Sequence, residues 1–220
     1  MAETQECWHC LQFIGQEDFC GECGKIQPFA ESPDYFRFLG YDRILNIDTQ
    51  EMEQRYYKLS KQYHPDFYHK TGEDEKEIAL SKAAYLTRAY KTLQDPFSRV
   101  DYLLELLGEK DDKNKNQVPP EILMEVSELH EKLDDFQHAA DTEREDIVAE
   151  LEENIRELKR RVKTLKDELC ELLPQWDAET ADVSCDTKPI IGRMQQILGV
   201  RSYLRTLIRT MRETISNGSN

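Results

Sequence analysis

Two groups of residues have the types and spacing to do chemistry. The first is Cys7, Cys10, Cys20 and Cys23, a C-x-x-C pair repeated after nine intervening residues. Each short loop can aim two thiolates at one ion, and four such ligands suit tetrahedral Zn²⁺. S₄ ligation also suits iron, so a rubredoxin-like site is the alternative metal. Four protein ligands fill the coordination shell, which predicts a structural ion with no open position for catalysis. Gly21 and Gly24 would let backbone amides approach the sulfurs. Trp8, Phe13, Ile14 and Phe19 are expected to form the module's small core, and His9 reads as an exposed or packed side chain. The second group is His64-Pro65-Asp66. Its imidazole and carboxylate have no nucleophile nearby to serve, so their expected value is recognition. No Gly-rich phosphate loop or nucleophile elbow is present, and an enzyme is not expected.

The tripeptide needs elements to hold it. Thr49 to Tyr63 reads as an amphipathic helix, with Met52, Tyr56, Leu59 and Tyr63 on one apolar stripe and Arg55, Lys58 and Lys61 on another side. Thr49 or Asp48 would cap it. It must stop near Tyr63, because Pro65 disfavours helical geometry at His64 and lacks a backbone donor. A second helix is expected from near Asp74 to Leu93, with apolar or small positions at Ile78, Ala79, Ala83, Leu86, Ala89, Tyr90 and Leu93. Asp95-Pro96 breaks it. Two antiparallel helices thus display a polar loop that carries His64-Pro65-Asp66. A short helix at Asp34 to Gly40 precedes them, and an apolar helix from Pro96 to Gly108 follows.

Glu109 to Gln117 is charged and reads as a linker. Pro119-Pro120 opens a helix whose seam is Ile122, Val126, Leu129, Leu133 and Phe136. Leu123 lies on the flank of that seam, and Met124 points away from it. Thr142-Glu143-Arg144-Glu145 is a capping box that starts the longest helix, expected to end at Pro174. Leu151, Ile155, Leu158, Val162, Leu165, Leu169 and Leu172 follow a heptad, which suits packing in a bundle and, as the lesser reading, a two-chain coiled coil. Trp176 to Thr187 reads as a polar segment. After Pro189 the last helix would face Leu204, Leu207, Ile208, Met211 and Ile215 inward and Arg201, Arg205 and Arg209 outward, with a tail from about residue 217 expected to be disordered.

The 220-residue chain carries a formal net charge of −15 and is one-third charged residues. Such a balance argues against nucleic acid or an anionic membrane as general partners. No apolar run approaches the ~20 residues of a membrane-spanning helix. The acidic start lacks a signal-peptide core and an Arg-rich transit sequence, which makes disulfides a poor fit to the cysteines and suggests a cytosolic, processed or truncated form.

The helix pair around His64-Pro65-Asp66, its basic face, the run Leu86-Thr87-Arg88-Ala89-Tyr90-Lys91-Thr92-Leu93 and the leading helix together resemble the J domain of DnaJ-type co-chaperones. Tyr90-Lys91-Thr92-Leu93, Pro96, Arg99 and Tyr102-Leu103-Leu104 with Leu106 and Gly108 narrow the likeness to the HscB family, the J-type co-chaperones of iron–sulfur cluster assembly. The cysteine module resembles the extra segment of eukaryotic members. The resemblance implies an all-α fold: a zinc knuckle (1–30), a J domain with an extra helix (34–108), a linker (109–119) and a C-terminal three-helix bundle (120–216). It implies that the protein stimulates the ATPase of a DnaK-type chaperone of the heat-shock 70 kDa class. His64, Pro65 and Asp66 would make the contact, and Arg55, Lys58 and Lys61 would meet an acidic partner surface. Glu51 and Glu53 dilute that basic face. It also implies delivery of an iron–sulfur scaffold protein held at Leu123 and Met124, although Ser127, Gln195 and Gln196 stand where further apolar groups are expected. The mitochondrial matrix is the implied location, with the cytoplasm as the alternative, and homodimer formation stays open. A general J-protein with another client and a structural helical adaptor are the competing functions.

Overall fold

The computed structural model describes residues 5–15, 17–29, 33–68, 71–110, 141–181 and 185–218, with residues 127, 129, 131, 133 and 136 between them. The fold is all-α apart from one short hairpin, and the chain divides into two compact units, 1–99 and 100–220.

In the first unit, strands β1 (Gln5–Glu6) and β2 (Phe13–Ile14) pair antiparallel. The alternation of a strand buries Ile14 and turns Phe13 outward, 72% exposed, so Phe13 does not join the module's core as expected. Ile14 packs with the cysteines, and Ile26, bridged to Phe19, is fully buried.

Helix α1 (Tyr35–Phe38) is capped by Asp34, whose carboxylate accepts from the Arg37 amide at 3.0 Å. Helix α2 (Thr49–Gln62) is capped by Asp48 rather than Thr49, accepting from the Gln50 and Glu51 amides at 2.8 and 3.3 Å. A single 3-10 turn, Pro65–Tyr68, connects to α3 (Glu73–Gln94). Both α1 and α2 pack on α3. Of the α2 stripe, Met52 and Tyr63 are fully buried and Tyr56 and Leu59 half-buried.

The buried stripe of α3 departs from expectation. It contains Ala79, Leu86, Ala89 and Leu93, and on the same 3.6-residue track Glu75 and Lys82. Charged side chains almost never enter a core without partners; here the partners come from the cysteine module. Glu75 meets Lys25 at 2.5 Å, and Lys82 meets Asp18 at 2.5 Å. Arg99 is buried as well. Its Nε donates to the Leu93 carbonyl at 2.6 Å and its Nη1 donates to the Leu45 carbonyl.

Helix α4 (Pro96–Leu107) starts over Asp95, which accepts from the Ser98 amide at 3.1 Å. It ends at Gly108, whose φ of 70° permits the Glu109 amide to reach back to the Leu104 carbonyl at 2.9 Å.

In the second unit, α5 (Asp141–Ala181) and α6 (Lys188–Gly218) pack along their length. The helical residues Leu129, Leu133 and Phe136 complete a three-helix core with Leu151, Ile155, Leu158, Val200, Leu204, Leu207, Ile208 and Met211. Pro174 does not end α5. The helix passes through it to Ala181, because Leu169, Leu173 and Trp176 keep burying on both sides of the lost hydrogen bond. The seam also shifts from Leu172, half-buried, to Leu173, the drift expected when a 3.6-residue helix carries a seven-residue pattern. At the other end, α6 continues as helix to Gly218, past residue 217 where a disordered tail is expected. The acidic face of α5 is matched in part by its own arginines: Arg156 and Arg160 both pair with Glu153, at 2.7 and 3.0 Å.

Candidate functional site

The four cysteines come together as their spacing predicts. All four sulfurs lie within 4.8 Å of one another, with Cys7–Cys23 at 3.7 Å and Cys10–Cys20 at 3.6 Å. A tetrahedron of Zn–S bonds has an edge of about 3.8 Å, so the donor set and its spacing fit a tetrahedral thiolate-bound ion. The two knuckles repeat one backbone pattern. The Cys7 amide donates to the Gln12 carbonyl and the Leu11 amide to the Cys7 carbonyl. The Cys20 amide donates to the Lys25 carbonyl and the Gly24 amide to the Cys20 carbonyl. The fourth residue after each first cysteine is left-handed: Gly24 at φ 69° and Leu11 at φ 62°. Gly24 takes this conformation without strain and Leu11 takes it at a cost, whereas Gly21 has no positive φ and a Cβ there would meet nothing within 4 Å. Burial pushes the Cys7 thiol up, but the amides of Cys10 and His9 outweigh it and bring Cys7 down to about 6. For Cys10 the Gln12 amide acts downward, and burial with the neighbouring sulfurs of Cys7, Cys20 and Cys23 carries it up to about 12. Four thiols this close resist shared ionisation, and a bound cation would relieve that repulsion.

His64-Pro65-Asp66 stands at the end of α2. His64 and Asp66 side chains are 51% and 71% exposed. The tip is nevertheless ordered by short-range bonds. The Asp66 amide donates to His64 Nδ1 at 3.3 Å, and the Asp66 carboxylate lies 3.6 Å from the same nitrogen. The Phe67 amide donates to the His64 carbonyl at 3.1 Å, and the Tyr68 hydroxyl closes the turn onto the Gln62 carbonyl at 2.8 Å. Pro65 sets the backbone between the two side chains. The arrangement offers an imidazole, a carboxylate and an exposed Phe67 ring on one rigid corner. Such a corner suits recognition of a basic group, since charge-assisted hydrogen bonds are the strong ones.

The basic face of α2 divides. Arg55 folds back onto the α1–α2 loop: its Nη1 donates to the Leu39 carbonyl at 3.1 Å and to the Gly40 carbonyl, and its Nη2 pairs with Glu51 at 2.7 Å. The guanidinium also covers the Tyr41 ring at 4.1 Å. Gly40 is required there, with φ 75° and a built Cβ only 2.9 Å from Arg55 Nη1. Lys58 and Lys61 are exposed and form no ion pair among the described residues. Arg55 thus builds the loop, and the two lysines carry the outward charge.

Leu123 and Met124 lie outside the described residues. Gln195 and Gln196 lie on α6, where Gln195 donates to the Glu109 carbonyl at 2.6 Å and Gln196 accepts from Arg193 at 2.6 Å. Asp18, Lys82 and Glu75 were not legible as site residues. The signal was present in part, since positions 75 and 82 continue the stripe of 79, 86, 89 and 93.

Comparison with known proteins bears on both units. The family model described as DnaJ domain matches residues 34–102, and the one described as HSCB C-terminal oligomerisation domain matches residues 118–186. The chain is 30% identical over 205 residues to the mouse iron–sulfur cluster co-chaperone protein HscB, covering 91% of this chain and 81% of that one. It is 34% identical over 155 residues to the co-chaperone protein HscB of Proteus mirabilis, covering 70% and 84%. The crystal structure of the human co-chaperone protein HscB superimposes with a TM-score of 0.69 at 25% identity, covering 95% of this chain and 98% of that chain.

Proposed function

The chain belongs to the HscB family of J-domain co-chaperones of iron–sulfur cluster assembly, and we propose that it works by coupling a scaffold protein to a DnaK-type chaperone. His64, Pro65 and Asp66 contact the chaperone and stimulate its ATPase. Asp66 accepts a charge-assisted bond from a basic group on that partner, His64 bonds beside it, and Pro65 holds the turn. Lys58 and Lys61 face an acidic partner surface and set the encounter rate and its salt dependence. Arg55 contributes by shaping the loop between α1 and α2. The hydrolytic chemistry belongs to the chaperone, which suits a family whose members are named co-chaperones.

The iron–sulfur scaffold protein binds the C-terminal unit, at Leu123 and Met124. Cys7, Cys10, Cys20 and Cys23 hold a structural Zn²⁺, the ion that tetrahedral thiolate ligation suits best. The protein acts in the mitochondrial matrix, or in the cytoplasm if it follows the bacterial members.

The observation that carries this reading is the exposed, internally bonded His64-Pro65-Asp66 corner within a matched J domain. The test is steady-state ATP hydrolysis by a matched DnaK-type chaperone, with this protein and the scaffold added singly and together. Stimulation by both should exceed the product of the separate effects. Asp66→Asn should abolish this protein's contribution, and Met124→Glu should remove only the synergy. Stimulation without synergy would point to a different client, and no stimulation would sink the reading.

A further inference from the structure

The cysteine module reaches the His64-Pro65-Asp66 corner through one carboxylate. Asp18 lies two residues before the ligand Cys20, in a knuckle fastened by the Gln27 amide on the Asp18 carbonyl at 2.9 Å and by the Phe19–Ile26 bridge. Its side chain is shared between two buried groups of the J domain. Oδ2 accepts from the Tyr63 hydroxyl, and Oδ1 pairs with Lys82 Nζ at 2.5 Å. Tyr63 is fully buried, and Lys82 is 2% exposed with its ammonium over the Phe29 ring at 4.2 Å. Tyr63 is also the residue that immediately precedes His64 and caps α2. A short path therefore runs from the sulfur cluster through Asp18 to the Tyr63 side chain, and from Tyr63 by one peptide bond to His64.

We propose that Asp18 is a positioning residue for the chaperone-facing tip: the metal-holding module braces Tyr63 through Asp18, and losing the brace frees His64-Pro65-Asp66. This rests on the reading of that tip as the chaperone contact. Apolar packing alone would attach the module to α3, as the ring of Tyr63 stacked on Phe38 at 6.0 Å already does for its own surroundings. A hydroxyl–carboxylate bond adds direction: it fixes where the tyrosine ring ends, and so the orientation of the backbone that enters the tip. Pre-ordering of a recognition group appears as affinity, because the partner no longer meets the ordering cost.

Asp18→Ala is a poor test, because it removes the Tyr63 partner and the acceptor for the buried Lys82 ammonium at once, mixing position with stability. Two gentler variants separate position from stability. Tyr63→Phe removes only the hydroxyl; Asp18→Asn keeps a hydrogen-bonding group for Tyr63 and loses the charge that Lys82 needs. In the full chain, the His64 imidazole is followed by ¹H–¹³C NMR, assigned with His64→Gln, beside chaperone ATPase titrations. Tyr63→Phe should shift and broaden the His64 signals and raise the concentration for half-maximal stimulation about fivefold, the worth of one hydrogen bond. Maximal stimulation should be retained. Stripping metal with a chelator should do the same to the wild type and add little to Tyr63→Phe. Asp18→Asn should lower the melting temperature and keep the His64 signals. His64 signals unmoved in Tyr63→Phe, or metal loss and Tyr63→Phe multiplying in effect, overturn the proposal. If the wild type stimulates no chaperone, the functional reading fails, yet the His64 signals still decide the brace. If Asp66→Asn abolishes stimulation while Tyr63→Phe changes nothing, the brace fails and the functional reading stands.

Discussion

The interiors of the two units are built differently. The first buries Glu75, Lys82 and Arg99 among its apolar groups, each engaged by a named partner, and Gln27, whose Nε2 donates to the Lys25 carbonyl at 2.8 Å. In the second, every buried side chain among the described residues is apolar, from Val100 to Met211. An apolar seam such as that between α5 and α6 supplies bulk burial, at about 25 cal/mol per Å², and tolerates the small axial drift seen near Leu172 and Leu173. Buried ions and carbonyl-bound arginines add little net stability, yet each accepts only one geometry. The polar devices of the first unit surround the loop between α1 and α2, the cysteine module and the end of α2. The region that carries the His64-Pro65-Asp66 corner is the region held by directional bonds.

Removing the metal proposed for the cysteine module should have the largest effect and sharpen this contrast. Structural Zn²⁺ is worth on the order of 10 kcal/mol to a small thiolate module. Chelation should open residues 5–29 to hydrogen exchange and leave exchange from α5 and α6 unchanged. Leu204→Ala, at a site 1% exposed in the bundle core, should destabilise the second unit by about 4 kcal/mol in urea unfolding. Its His64 NMR signals should not move; a shifted tip would break the division between the units. Arg99→Met would leave the Leu93 and Leu45 carbonyls without their buried donor, costing about 3 kcal/mol in the first unit. Arg99→Lys should recover less than half of that, since an ammonium cannot reproduce the fork. Gly40→Ala should cost about 1–2 kcal/mol, because it strains a φ of 75° and pushes Arg55 off its carbonyls. The smallest expected effect has the opposite sign. Leu11→Gly relaxes a left-handed residue that is 69% exposed and should stabilise the module by roughly 0.5 kcal/mol, read as slower metal release to a chelator.

Much of the functional region is readable along the chain. The C-x-x-C spacing implies the sulfur cluster, because four thiols in two tight loops can do little else. Pro65 and the 3.6-residue stripe of Met52, Tyr56, Leu59 and Tyr63 place the tip at a helix end, because proline and apolar periodicity act locally. What periodicity hides is a charged residue on the apolar stripe. Glu75 and Lys82 look like solvent positions until Lys25 and Asp18, 50 and 64 residues away, neutralise them. Arg55 matches Lys58 and Lys61 in type and spacing, and only the carbonyls of Leu39 and Gly40 turn it inward. Pro174 reads as a stop, and only the burial of Leu173 and Trp176 carries the helix past it. The sequence alone thus determined the sulfur cluster, the His64-Pro65-Asp66 turn and the helical order, all of which depend on neighbours within a few turns. Tertiary structure decided which charges went inside, which basic residue was consumed by the fold and where a helix could ignore its proline, because each outcome depends on a partner that is distant in the chain.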